Sequence, residues 1–134
     1  MEKLPDAELF TSNNVSYRIQ TSDKAIVIVY FKSDCQYCLN EAFKISENNI
    51  IFTKAQVYFI TVESIEYLKE FESTFSSSKI LFLHDKQKYL YDYLQVVNFP
   101  STYIFNSDKK FTKRIVGFAA TDEIISYIPN EPSH

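Results

Sequence analysis

The chain predicts an α/β sandwich built on a mixed, partly parallel sheet. Three observations carry this expectation. Strand-like and helix-like segments alternate along nearly all of the 134 residues. The segment Ala25–Phe31 is apolar and rich in β-branched residues at every position, as a central strand covered on both faces must be. Two alternating segments near the end, Ser101–Phe105 and Thr112–Val116, read as a hairpin across Asn106–Lys110, which adds antiparallel strands. The length suits one domain, 1–134, with an ordered part of about 7–128. At 46% apolar residues it can build a core of ordinary size.

The elements follow in order. Leu9–Phe10 and Val15–Ile19 form a small hairpin, with Ser12-Asn13-Asn14 as the turn. After the central strand, Cys35 to about Asn48 is helical, with Leu39, Ala42, Phe43 and Ser46 on one face. Ser33 or Asp34 can cap its start and Asn48-Asn49 can end it. Gln56–Val62 is a second strand. Ser64–Phe75 is a helix whose stripe is Ile65, Leu68, Phe71 and Phe75. Ile80–Leu83 is a short strand, and Asp85 caps a helix that buries Leu90 and Leu94. After the closing hairpin, Thr121 caps a last helix with Ile124, Ile125 and Ile128 inward, and Pro129 stops it. The tails, Met1–Asp6 and Pro129–His134, are polar and should be loosely held.

Composition removes several functions. Fourteen Lys and Arg against 17 Asp and Glu give a net charge of −3, without the basic excess of a nucleic-acid binder. The longest apolar run, Ala25–Phe31, is far short of the roughly 20 residues that span a bilayer. The N-terminus lacks a signal-peptide core. One glycine, Gly117, stands where average usage gives about nine, and the two cysteines cannot make a disulfide scaffold.

Those two cysteines carry the chemistry. Cys35-Gln36-Tyr37-Cys38 follows a buried strand and opens a helix. At that spacing the sulfurs are close enough to bond, and the free N–H groups and dipole of the helix start stabilise a thiolate at Cys35. Cys35 is then the nucleophile and Cys38 the resolving thiol. Other readings are a zinc site, an inert disulfide and two buried thiols. Zinc needs four ligands, and beyond the cysteines only His84 and His134 are soft candidates. A disulfide over so short a loop removes little chain entropy. The strand–CxxC–helix context therefore favours a redox dithiol, with no metal and no cofactor. His84 reads as a strand-end residue, Lys109-Lys110 as solubility, and Tyr89, Tyr91 and Tyr93 as packing.

Ile26–Cys38, Val97–Phe105 and Arg114–Phe118 together resemble the thioredoxin superfamily. Ile26 to Cys38 resembles its active-site strand and turn. Val97-Asn98-Phe99-Pro100-Ser101-Thr102-Tyr103-Ile104-Phe105 resembles its cis-proline segment and following strand. Arg114-Ile115-Val116-Gly117-Phe118 resembles its last strand and glycine. The extra unit Val57–Phe75, between Cys38 and Pro100, resembles the insertion of TlpA/ResA-type thiol–disulfide oxidoreductases, as do the N-terminal hairpin and His84-Asp85. The implied fold is a thioredoxin-like three-layer sandwich with a mixed sheet, an N-terminal β-hairpin and an inserted β-α unit. Peroxiredoxins share the insertion, but their Pro-x-x-x-Thr/Ser-x-x-Cys turn is replaced by Ile28 and Lys32.

The resemblance implies thiol–disulfide exchange with protein disulfides, in the reducing direction, fed by an upstream redox donor. Asp34 stands where Trp is usual, and Gln36-Tyr37 brings no positive charge. Val29 replaces thioredoxin's buried acid, which leaves Glu41 to move protons at Cys38. On its own Glu41 reads first as a solvated helix residue. Pro100 alone reads equally as a cis proline or a plain strand start; the resemblance favours cis, with Phe99 and Tyr37 as substrate contacts. Gly117 is expected where a side chain would obstruct the active-site loop. A monomer is expected, without nucleic acid or a membrane span. The resemblance favours the periplasm or cell envelope, with the cytoplasm as alternative. A thiol peroxidase and a non-catalytic binding or chaperone module are the competing functions.

Overall fold

A computed structural model describes residues 2–129. Met1 and residues 130–134, with His134 and most of the expected C-terminal tail, lie outside them. The fold is organised by β3 (Ala25–Tyr30), every residue of which is buried. Alternation sends Val27 and Val29 to one face of the sheet and Ile26, Ile28 and Tyr30 to the other, so one apolar run feeds two cores. This is why the segment has no polar face.

β3 lies between β4 (Ala55–Thr61), which it pairs in parallel, and β6 (Ser101–Phe105), which it pairs antiparallel. β5 (Leu81–His84) extends the sheet beside β4. β7 (Phe111–Val116) forms the other edge beside β6. The N-terminal hairpin, β1 (Leu9–Phe10) and β2 (Ser16–Tyr17), joins antiparallel to β5, giving the order β2-β1-β5-β4-β3-β6-β7. Four helices cover one face: α1 (Gln36–Ser46), α2 (Asn49–Lys54), α3 (Ile65–Ser73) and α5 (Thr121–Ser126). α4 (Tyr89–Leu94) covers the other through Leu90 and Leu94. The result is the three-layer α/β sandwich with a mixed sheet that the sequence predicts. Among the described residues no helix is long and apolar enough to cross a membrane.

Several elements differ from expectation. α1 buries Cys38, Glu41, Ala42 and Ile45, while Phe43 is 43% exposed and packs edge-on against Phe75. The inward face is thus turned from the expected one, with Glu41 received by Thr102 and Ala119 in place of Phe43 in the core. Asn48 does not end the helical region: its Oδ1 accepts the N–H groups of Ile50 and Ile51 and starts α2. Asp85 does not sit at the cap of α4. Lys88 occupies that position with φ 60°, and the Asp85 carboxylate reaches across to the N–H of Tyr91 and the hydroxyl of Tyr30. Thr121 is the first residue of α5, not its cap, and Ala120 stands before it. The N-terminal segment is not loose from residue 2 onward. Leu4 is buried, its N–H donates to Lys109, and Glu2 accepts from Phe111, which ties the segment to the β6–β7 hairpin.

Candidate active site

The site is built where β3 ends and α1 begins. Phe31 continues the strand into the helical-face core and donates its N–H to Ile60. The chain then turns through Asp34, whose φ of 55° lies in the left-handed region, and enters α1 with Cys35 extended as its N-cap. Cys35 and Cys38 form a disulfide, with Cα atoms 5.2 Å apart. The Sγ of Cys35 also accepts the N–H of Cys38 at 3.1 Å. The sulfur thus takes the place of the usual side-chain oxygen of an N-cap, which neither Ser33 nor Asp34 supplies. Cys35 is half-buried and Cys38 fully buried. A shallow groove beside Cys35 is lined by Asp34, Gln36, Leu39, Tyr67 and Phe71.

Glu41 lies three residues beyond Cys38 on the buried face of α1 and is 0% exposed. It is not a solvated helix residue. Its Oε2 accepts the Thr102 hydroxyl at 2.8 Å and its Oε1 the N–H of Ala119 at 2.9 Å. Thr102 is the register partner of Val29 across β3 and β6. The helix-borne acid therefore reaches the rung of the sheet where the resemblance puts a strand-borne one. Burial pushes its pKa up from 4.5 to about 7; the bonds from Ala119 and Thr102 pull it down, and the charge of Glu123 adds a further rise. A carboxyl so placed can hold or release a proton near neutral pH.

The antiparallel register sets Tyr30 opposite Ser101, so the Cys35 turn and Pro100 leave the sheet at the same end. The Phe99–Pro100 peptide is cis. Gly117 donates its N–H to the Pro100 carbonyl at 2.8 Å and has φ 87°. The reason for glycine differs from the expected one. A Cβ there would meet nothing within 4 Å; the backbone conformation, not crowding, excludes side chains. The turn it makes brings the Ala119 N–H to Glu41. Tyr37 is 65% exposed at the head of α1. Phe99 differs from a free contact surface: its half-buried ring stacks on Tyr91 at 6.3 Å, with Lys32 Nζ 5.6 Å from its centre.

Four residues of this neighbourhood are not apparent from sequence. Thr102 is one. Ser33, Glu63 and Tyr67 are the others: both carboxylate oxygens of Glu63 accept from Ser33, and the Tyr67 hydroxyl donates to the Lys32 carbonyl. Their partners are 30 to 61 residues away in the chain, beyond any local pattern.

The AhpC/TSA family profile matches residues 1–114. The chain belongs to the AhpC/TSA family. No curated protein matches it. Among solved structures, this AhpC/TSA chain is similar to the pneumococcal exposed lipoprotein thioredoxin Etrx1 of Streptococcus pneumoniae, with 19% identity and TM-score 0.80 over 92% of this chain and 98% of that one. It is similar to StoA of Bacillus subtilis at 10% identity and TM-score 0.73, covering 94% and 98%. A peroxiredoxin-like protein of Aquifex aeolicus matches at 13% identity and TM-score 0.72, covering 95% and 84%. These likenesses establish the thioredoxin-like fold. With its CxxC pair bonded at the head of α1, this AhpC/TSA member is a thioredoxin-like thiol–disulfide oxidoreductase.

Proposed function

We propose that the protein reduces protein disulfides as a single-domain monomer, with Cys35 attacking, Cys38 resolving and Glu41 holding the resolving proton. The observation that carries this reading is the half-buried Cys35 at the start of α1 above the buried pair Cys38 and Glu41. The Cys35 thiolate, stabilised by the N–H of Cys38 and the helix dipole, attacks one sulfur of a substrate disulfide. A Cys35–substrate disulfide forms, and the other substrate sulfur leaves as a thiolate and takes a proton from water. Cys38 then gives its proton to the Glu41 carboxylate and attacks Cys35 Sγ. The intramolecular disulfide forms and the second substrate thiolate leaves. Two electrons have passed to the substrate, and an upstream dithiol restores the pair. Residues three apart on one helix face lie close enough for the proton step, directly or through one water.

Around this centre the exposed Tyr37 ring and the Phe99–Pro100 backbone receive the substrate chain. The direction follows from charge. Asp34, Gln36 and Tyr37 supply no cation to deepen the thiolate's stability, so the dithiol is a reductant; a Cys35 pKa well below about 6 would overturn this. Insulin-disulfide reduction in the presence of a small dithiol tests the function. Wild type should turn over, and Cys35→Ser should not. A Cys35→Ser, Cys38→Ser double variant with full biological function would instead support a binding module.

A further inference from the structure

We propose that Glu63 and Tyr67 are positioning residues that lock the turn Lys32–Asp34 and thereby set the reactivity of Cys35; this rests on the reading of Cys35 as the attacking thiol. Asp34 holds φ 55°, in the left-handed region, which aspartate enters more readily than most residues other than glycine. That reversal places Cys35 in the extended N-cap conformation, φ −119° and ψ 95°, with its Sγ 3.1 Å from the Cys38 nitrogen. On reduction the same N–H would serve the thiolate as a donor. If the turn relaxes, the thiolate loses it.

The contacts that hold the turn come from Glu63, in the loop after β4, and from Tyr67, in the first turn of α3. The Ser33 N–H donates to Glu63 Oε1, and the Ser33 hydroxyl donates to Oε2 at 2.8 Å. One carboxylate thus takes both donors of one residue. The Tyr67 hydroxyl donates to the Lys32 carbonyl at 3.0 Å. The clamp is itself anchored. The Glu63 N–H donates to Oγ1 of the buried Thr61, and the Tyr67 N–H to Oγ of Ser64, the cap of α3. Three contacts from Glu63 and Tyr67 therefore grip the two residues immediately before Asp34.

Two effects of Glu63 on Cys35 oppose each other. Its position holds the thiolate against the Cys38 N–H. Its charge, with those of Asp34 and Glu70, makes this mouth of the site negative; burial first, and then these three carboxylates, push the Tyr67 hydroxyl up to about 12. The charge acts across a partly solvated surface, where screening is strong, and it is already engaged by two donors. Positioning should therefore win.

The test uses the full chain, reduced, and the pH profile of alkylation by iodoacetamide, with the label located by mass spectrometry. Sulfur attacks carbon and iodide leaves, so the rate follows the thiolate fraction. Glu63→Ala should raise the midpoint and slow labelling at pH 7 by about five- to tenfold. Glu63→Gln keeps an acceptor for the N–H and a donor for the hydroxyl, and should stay within about twofold of wild type. Ser33→Ala and Tyr67→Phe, each losing one contact, should fall between at about two- to threefold. Equal shifts in Glu63→Ala and Glu63→Gln would show a charge effect alone and overturn the proposal. Should Glu63→Ala not fold, unmoved midpoints in both Ser33→Ala and Tyr67→Phe would overturn it. Label on Cys38 in wild type would overturn the reading of Cys35 as the attacking thiol, and the proposal with it; label on Cys35 with unmoved midpoints overturns the proposal alone.

Discussion

Glu41→Gln should change how stability depends on pH. The wild-type carboxyl titrates near 4.5 when unfolded and near 7 when folded, because burial disfavours its charge more than Thr102 and Ala119 favour it. The folded state therefore binds more protons than the unfolded state between those values. Stability from this group is fully present below pH 4.5 and is lost as pH rises through about 7. At about 1.4 kcal/mol per pH unit over that interval, the loss is about 3 kcal/mol. Glutamine is neutral throughout, so the variant lacks this slope. Its absolute stability also changes with the bonds to Thr102 and Ala119, and the informative quantity is the difference in slope. Urea denaturation of the oxidised protein at half-unit steps from pH 4 to 8 measures it, since bonded cysteines do not titrate. The wild-type curve should fall by about 3 kcal/mol relative to the variant's between pH 4.5 and 7.5. Parallel curves would refute the raised pKa and remove the basis for Glu41 as a proton holder at neutral pH.

Further outcomes follow from the same geometry. Gly117→Ala should cost about 1–2 kcal/mol in urea denaturation, through φ alone, and Gly117→Asn less, because asparagine tolerates the left-handed region; an Ala variant as stable as wild type would contradict this. Asp85→Ala strands the Tyr30 hydroxyl and the Tyr91 N–H, which donate to Asp85 Oδ2 at 2.8 and 2.7 Å. It should cost about 2–4 kcal/mol by the same assay, and a loss under about 1 kcal/mol would show that other partners replace it. Hydrogen peroxide should oxidise Cys35 no faster than an ordinary thiol of similar pKa, since Lys32 stands at the peroxidatic Thr/Ser position; stopped-flow rates well above that level would favour the peroxidase reading.

What could be read from the residues was what local chemistry decides. Ala25–Tyr30 declares itself because a strand covered on both faces has no polar positions. The helix from Ser64 is legible from its stripe Ile65, Leu68 and Phe71, and the Ser64 hydroxyl caps it, accepting from Tyr67 three residues on. The CxxC turn is visible because both sulfurs lie within one helical turn. The misreadings arise where a residue serves something distant or has two local roles. Asn48 reads as a helix end and is in fact the cap of the next helix. Phe43 reads as core because it is large and apolar, yet α1 turns Glu41 inward instead, where Thr102 and Ala119 receive its carboxylate. Nothing near Glu41 in the chain signals those partners. Asp85 likewise finds Tyr30, and Glu63 finds Ser33, only through the tertiary fold.

Disulfide trapping tests the exchange mechanism most directly. Reduced Cys38→Ser is mixed with a disulfide-bonded peptide and its intact mass recorded, beside Cys35→Ser treated the same way. Cys38→Ser should carry one peptide through Cys35 as a lasting mixed disulfide, and Cys35→Ser should remain free. No adduct on Cys38→Ser, or an adduct on Cys35→Ser alone, would contradict the assignment of Cys35 as the attacking thiol.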